Sequence, residues 1–494
     1  MMNQVDRKRV QQVAHIVEIP NDYTLVVDEE NVNEGAHLLW WEKRENPEEY
    51  MQVCLRKETG ELMELSIHKE CAPKQLSVSK EEGKRIADAF LQQHAPHTYK
   101  ECTVIYINKR NESVVIEYRQ EVNGYSLPRT GFVVEVDGDG NVIKFRNEGI
   151  KEKPMWPSSI VEKEVVTKQL KQRQAMEPVF TQLSNLLFEW EDGEIEEGYY
   201  LVYEPIPSHA FIDVQTGEDL HNRSHYVIET RELPVVSEKS QLEANIERLF
   251  HIDKNVMKKV HEEEGETEKT MIWAKVPDKQ EGAEENDKSF DAYCKKQFHM
   301  FKYDTSIIVK MDKGTNELLE YYERGNHHGT PVLTREQCFE KALQFLGKVF
   351  PNYEQHLRVW SNQDDPDEEE PGHFHFYVYV NGVRIESELV RVVVDGETGQ
   401  IRVYSGISQS LIPRLLTYDK EVKVSEEQAL ERYCQSLQAE LRWFEEREQE
   451  LPQYRLIYSQ TTAENNEEYN GDYSNRREIR YIDASTGKAI WWKI

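Results

Sequence analysis

Apolar and polar residues alternate along most of this chain in short runs of period two, and each run ends at a polar turn. VIYIN (104–108), VVIEYRQEV (114–122), HFHFYVYVNG (373–382) and LVRVVVDG (389–396) read as half-buried strands. Between them lie stretches of helical period, SKEEGKRIADAFL from Ser79 and TREQCFEKALQFL from Thr334. Ser79 with Glu82, Thr334 with Gln337 and Ser425 with Gln428 each fit a capping box, in which the hydroxyl accepts from the N3 amide and the N3 side chain reaches back. Ile86, Ala89 and Phe90 in one helix, and Leu343, Phe345 and Leu346 in the other, predict an apolar face laid on a sheet.

One turn recurs six times: LRKETGELMEL (55–65), VEVDGDGNVIKF (134–145), AFIDVQTGEDL (210–220), VKMDKGTNELLEY (309–321), VVVDGETGQIRVY (393–404) and RYIDASTGKAIWW (480–492). Asp accepts local backbone hydrogen bonds and Gly supplies the left-handed conformation, so the chain reverses into the next strand. Asp137, Asp213, Asp395 and Asp483 are therefore read as turn formers rather than catalytic acids. The fourth copy departs from the pattern, with MDKGTNE where the others approach DxxTGE.

The copies repeat at a higher level too. Asn123-Gly124 precedes Asp137, and Asn381-Gly382 precedes Asp395, with 13 residues from Gly to Asp both times. Asn-Gly signals a type I′ hairpin, because both turn residues need positive φ. YYLVYEPIPSHAFIDVQTG likewise matches YRLIYSQ followed by IRYIDASTG, and HIVEIP with LLWWEKR matches HIDKNV with MIWAKV. The expected organisation is two homologous halves of three α+β units each, offset by roughly 230 to 270 residues. The units span 1–70, 71–150, 151–225, 236–325, 331–410 and 420–494. The joint lies near 221–240, and cutting there is expected to give two soluble pieces.

This combination resembles the PepSY-like repeats, and specifically the YcdB/YcdC repeat family of spore-forming Gram-positive bacteria. The residues that carry the likeness are IPNDYTLVVDEENVNEGAHLLWWEKR with ETGEL, NGYSLPRTGFVVEVDGDGNV and LVYEPIPSHAFIDVQTGEDL. The resemblance implies tandem cystatin-like units, each a helix across a curved antiparallel sheet. It also implies inhibitory, chaperoning or stabilising roles toward a peptidase or a cell-wall lytic enzyme. No catalytic residues are known for the family, so it implies none here. Many relatives carry a signal peptide or anchoring modules, and neither pattern is seen in this sequence.

Composition narrows the partners. The 61 Lys and Arg residues against 91 Asp and Glu residues leave a formal charge of -30, which repels phosphate backbones and anionic lipid. Nucleic acid is excluded as an expected partner. The 25 Tyr, 16 Phe and 9 Trp residues supply apolar area for folding despite the acidity. Cys54, Cys71, Cys102, Cys294, Cys338 and Cys434 lie far apart and read as free thiols. No stretch approaches the ~20 apolar residues of a membrane span, and the basic start lacks an apolar h-region, so the expected location is the cytoplasm unless a native leader precedes it.

Catalytic signatures are scarce. HExxH, GxSxG, GxxxxGK[ST] and a GxGxxG opening a helix are all absent. VDGDGN (136–141) lacks calcium-loop spacing and its terminal Glu. His373 and His375 share one strand face and His327-His328 sit in a turn, but a strand pair supplies only two metal ligands. Trp40, Trp41, Trp190, Trp273, Trp360 and Trp443 read as core and inter-unit packing, with an aromatic peptide groove as the sharper alternative. The second half carries longer, mostly acidic loops at 278–288, 362–371 and 463–476, and surface insertions of this kind often bind. Asp364, Asp365, Asp367, Glu368, Glu369, Glu370, Glu467, Glu468, Tyr469 and Tyr473 are the candidate partner-binding residues, facing a protein with a basic surface. The expected function is non-enzymatic protein binding, without cofactor. A metal-dependent hydrolase with a site between units, using His373 and His375, and a structural scaffold are the rivals.

Overall fold

The two halves of the chain build sheets of identical strand order. A computed structural model describes residues 13, 16–31, 35–69, 78–110, 112–221, 227–234, 245–276, 287–297, 303–325, 330–350, 352–361, 372–418, 421–446, 453–463 and 477–493. The alternating runs of the first half become β1 (Tyr23–Asn31), β2 (Ala36–Lys43), β3 (Asn46–Arg56) and β4 (Leu62–His68). After α1 (Lys80–His94) and α2 (Pro96–Tyr99) come β5 (Thr103–Lys109), β6 (Ser113–Arg119), the hairpin β7 (Glu121–Val122) and β8 (Tyr125–Ser126), β9 (Gly131–Asp137) and β10 (Val142–Gly149). The third stretch carries α3 (Lys163–Arg173), β11 (Ala175–Leu183), β12 (Phe188–Trp190), β13 (Gly193–Glu194), β14 (Gly198–Ile206) and β15 (Phe211–Asp213), with β16 (Thr230–Glu232) beyond it.

The second half repeats the series. It comprises α4 (Ile246–Leu249), β17 (Lys258–Glu264), β18 (Glu268–Ala274), α5 (Phe290–Gln297), β19 (Ser306–Asp312), β20 (Leu318–Arg324), α6 (Arg335–Val349), α7 (Tyr353–His356), β21 (Leu357–Trp360), β22 (His373–Val380), β23 (Val383–Val394) and β24 (Ile401–Ser405). Then follow α8 (Leu411–Leu416), α9 (Glu426–Ser436), β25 (Gln438–Glu446), β26 (Gln453–Thr461), β27 (Arg477–Asp483) and β28 (Ala489–Lys493). The first sheet runs β1-β2-β3-β4-β10-β9-β6-β5, and its counterpart runs β17-β18-β19-β20-β24-β23-β22-β21 with β16 added at the end. The fold is α+β, mostly strand and almost entirely antiparallel, and the one parallel pair among the described residues joins β11 to β23.

Local chemistry explains the elements. Thr334 with Gln337 and Ser425 with Gln428 form complete capping boxes. At Ser79 only half the box forms, because Arg85 holds the Glu82 carboxylate at 2.7 and 2.9 Å. Leu343, Phe345 and Leu346 are buried as expected, whereas α1 buries Gly83, Ala87 and Leu91, with Ile86 and Phe90 alongside, and leaves Ala89 exposed. Gly83 sits where a Cβ would come within 2.9 Å of the Val114 side chain, so the absence of a side chain sets how closely α1 approaches β6.

Four of the six turns share one side-chain hydrogen-bond pattern. Asp213, Asp395 and Asp483 each accept, through Oδ1, from the amides two and three residues on, at 2.7 to 3.1 Å. Gly217, Gly399 and Gly487 then adopt φ of 73°, 72° and 75°. In the divergent fourth copy Asp312 makes the same bonds, and Asn316 takes the left-handed position at φ 58°. The motif departs in sequence but not in geometry, since Asn tolerates that conformation. Asn123-Gly124 and Asn381-Gly382 have positive φ at both residues, as a type I′ turn needs.

The third stretches of the two halves interlock. β14 pairs with β27 from the other half through Val202↔Asp483 and Tyr203↔Ile482, while β26 pairs with β15 through Ile457↔Asp213 and Tyr458↔Ile212. The two registers are equivalent residue for residue. Tyr203 donates to the Val424 carbonyl at 2.8 Å and Tyr458 donates to the matching Val161 carbonyl at 2.9 Å. Helix α3 lies on β25 and β26, and α9 lies on β11, β14 and β27, so each helix also covers strands of the opposite half. Their shared core holds Val166, Leu170, Ile212 and Tyr203 with Tyr433, Trp443, Tyr458 and Ile482. Separation at 221–240 runs against this exchange.

A charge chain crosses the same junction. Arg384 on β23 is 4% exposed and bonds Glu177 at 3.1 Å and Glu204 at 2.9 Å. Arg480 on β27 bonds Glu204 at 2.7 Å and Glu386 at 2.9 Å, and Tyr481 donates to Glu386 at 2.5 Å. Burial, then the neighbouring Glu386, holds the Glu204 carboxyl above its ordinary range despite both guanidiniums.

Residues 1–234 and 235–494 produced separately are therefore expected to aggregate or stay unfolded, and to assemble one-to-one when co-produced. Light scattering and circular dichroism check this; two folded monomers would show that the exchange is dispensable. Arg384→Met takes the guanidinium from Glu177 and leaves the buried Glu204 with Arg480 alone, and should lower stability by about 3–5 kcal/mol, with partial recovery on adding Glu204→Gln. Urea titration of the single and double variants measures the difference.

Candidate functional site

The ten candidate residues Asp364, Asp365, Asp367, Glu368, Glu369, Glu370, Glu467, Glu468, Tyr469 and Tyr473 lie outside the described residues, as do His327 and His328. His373 and His375 occupy the same half-buried face of β22, opposite the buried Phe374 and Phe376, and the His375 ring lies 6.0 Å from that of Trp360. Among the described residues, no group of three or more His, Cys, Asp or Glu side chains gathers as a metal site would require. In the VDGDGN turn Asp137 Oδ1 accepts from the amides of Asp139 and Asn141 at 3.0 and 2.8 Å, so this oxygen serves the hairpin.

The tryptophans pack. Trp41, Trp273 and Trp443 are buried, and Trp40 stacks among Tyr50, Phe290 and Tyr293 with ring centroids 5.2 to 6.4 Å apart. The last two rings come from α5, which follows the long acidic insertion of the second half. Its start docks on the first half: the Asp28 amide donates to the Lys288 carbonyl at 2.9 Å, and the Phe290 amide donates to Glu29 at 2.7 Å. Tyr293 also donates to Glu42. The end of the predicted 278–288 loop thus belongs to an intramolecular contact. The apolar face of FDAY could have signalled it, but the density of acidic residues ahead pointed to solvent.

Two concave sites flank the interlock. One, of about 660 Å³, is lined by Pro205, His209, Tyr433, Arg442, Thr462 and Arg480 among others. Gln460 organises its floor, donating to the Pro207 carbonyl at 2.8 Å and to the Tyr433 hydroxyl at 3.3 Å while accepting from Gln174 at 3.0 Å. Burial, and the positive charge of Arg442 and Arg480, lower the proton affinity of His209. The other is an open cleft of about 860 Å³ along α3, with Lys163, Lys168 and Lys171 on one wall and Gln435 to Gln438 on the other. Both offer positive groups on a strongly acidic chain, suited to holding carboxylates.

Sheet edges form the third candidate. In the second half, β16 closes the outer edge of β21 through Thr230↔Trp360, Arg231↔Val359 and Glu232↔Arg358. At the matching end of the first sheet, no strand among the described residues pairs with the outer side of β5. Such an edge presents unpaired amides and carbonyls to any extended segment.

Among the described residues, no helix is long and apolar enough to cross a membrane. The chain is 23% identical over 504 aligned positions to the uncharacterized protein YcdB of Bacillus subtilis (strain 168), covering 97% of each. It is 25% identical over 452 positions to the uncharacterized protein YcdC of the same organism, covering 90% of this chain and 92% of that one. A solved structure, the Bacillus megaterium YpeB C-terminal domain, aligns over 45% of this chain and 99% of that domain, at 14% identity and a TM-score of 0.28, too slight a likeness to build on. A family model described as "YcdB, YcdC repeated domain" matches residues 6–149 and 239–408, one stretch in each half. On that match, which spans more than half its length, the chain belongs to the YcdB/YcdC repeated-domain family.

Proposed function

We propose that the chain is a non-enzymatic protein-binding repeat protein that holds an extended segment of its partner by strand addition. The observation that carries this reading is the chain's own behaviour: β16 on β21, β27 on β14 and β15 on β26 are all segments added to strands distant in sequence. Strand addition draws affinity from backbone hydrogen bonds and specificity from the pockets between alternate side chains. A formal charge of -30 favours a basic partner surface and speeds encounter with it. A peptidase or a cell-wall lytic enzyme is the partner class, on the resemblance to PepSY-like repeats, and the role is inhibition, chaperoning or stabilisation.

Affinity capture from host lysate with the intact chain, followed by reconstitution from purified components, tests the reading. A one-to-one complex with such an enzyme, and a changed rate of substrate hydrolysis within it, is the expected result. Removing 278–286, 362–371 and 464–476 together, which spares the Lys288 contact, should weaken the complex at least tenfold if the acidic loops steer the partner. Stoichiometric metal in the purified protein, together with hydrolytic activity lost on chelation, would instead establish the hydrolase reading.

A further inference from the structure

The duplication lets one half report what the other half is built to hold. The Asn-Gly hairpins align β6 with β22, so that Tyr118 matches Phe376 and Arg119 matches Tyr377. Their ladder partners Val104 and Thr103 then match Val359 and Arg358, and the next residue, Ile105, matches Trp360. β16 lies against Arg358, Val359 and Trp360. It is fixed at two further points: Arg231 sits over the Phe339 ring, 5.2 Å from its centroid, and Leu233, 7% exposed, enters the core of the second half. The Tyr353 hydroxyl, donating to the Pro234 carbonyl at 3.2 Å, closes the end.

We infer that the β5 edge binds an extended segment of a partner protein, antiparallel to Thr103–Ile105, with an acidic residue opposite Val104 and a large apolar residue two positions further on. This rests on the strand-addition reading above and names its site. Phe339 lies five residues past the N-cap Thr334, and the same step from Ser79 reaches Lys84. The position that receives a cation in the second half therefore meets an ammonium in the first, and the preferred charge of the incoming residue is reversed. Lys84 is 41% exposed and its present partner, Asp88, also accepts from the Tyr118 hydroxyl at 2.7 Å, so Lys84 can turn to a ligand without stranding Asp88. A bulge between Val104 and Tyr106 shortens the regular part of the edge. Bulged edges resist indiscriminate pairing, so the site favours a short, matched segment.

The probe is the peptide of residues 228–234, as in this chain and with Arg231→Glu, added to the full-length protein while amide hydrogen exchange is followed. The Arg231→Glu peptide should slow exchange across 103–109 and bind on the order of threefold more tightly than the Arg form, and Lys84→Glu in the protein should reverse that order. A peptide N-methylated along its backbone should have no effect. The inference is overturned by unchanged exchange at 103–109 with both peptides, or by equal slowing with the N-methylated control. It is equally overturned if these amides are already protected in the free chain, which would mean that another segment of the chain or a second copy occupies the edge. A captured partner that binds the Lys84→Glu chain unchanged under saturating peptide would remove this edge while leaving the protein-binding reading in place.

Discussion

The two halves are joined by an exchange of strands between their third stretches. β14 finds its neighbour in β27 and β26 finds its neighbour in β15, so neither three-stranded arrangement exists until both halves are present. Apolar burial, not charge, supplies the strength of this junction. Tyr203, Ile212, Tyr458, Ile482 and Trp443 are all buried there, and a buried side chain of that size contributes roughly 1.5–3 kcal/mol. The Arg384 and Arg480 network, by contrast, gives back in desolvation much of what its ion pairs gain. Its effect is on register: a one-residue slip of β27 would carry Arg480 away from Glu204 and reverse every side chain of the strand.

The same constraint explains why the two halves could diverge only at their margins. Each element of the interlock has a symmetry mate that it must continue to fit, as the paired Tyr203–Val424 and Tyr458–Val161 bonds show. Insertions therefore appear where no mate is touched. β12, inserted between β11 and β14, pairs with β28 at the chain's last strand, and α5 docks across β1 of the opposite half. Both turn a duplication of equal parts into a body with distinct faces.

Much of this fold was legible in the sequence, for a physical reason. Turns and caps are local: Asp395 with Gly399, Asn381 with Gly382, and Thr334 with Gln337 need nothing beyond a few neighbours to take their conformations, so their spacing marked the elements. The exchange was not legible, because the pattern of apolar alternation in β14 is the same whether its partner is β15 or β27. Ala89 and Glu82 failed for smaller causes. Close approach at Gly83 rotated the helix face, and Arg85 captured the carboxylate expected to complete the cap. The docking of α5 was masked by charge, since acidic residues around Asp287 outweighed the aromatic pair Phe290 and Tyr293 in any reading of composition.

The asymmetries of such a duplicated body are the features that its internal packing does not account for. A feature present in both halves and engaged in both, such as the Asp turns or the α6 and α1 faces, is accounted for by packing. A feature present in both but, among the described residues, paired in only one is different. The edge of β21 is satisfied by β16, and the ladder there shows that this end of the sheet can carry an added strand. β5 retains the same flanking helix and the same ladder to β6, yet Lys84 replaces Phe339 and Thr103 replaces Arg358 at the positions an added strand would meet. Loss of an internal strand alone would leave an adhesive edge, and adhesive edges are selected against. A bulge at Ile105 and a lysine at the rim blunt that edge against indiscriminate pairing, and leave it suited only to a short strand that fits both.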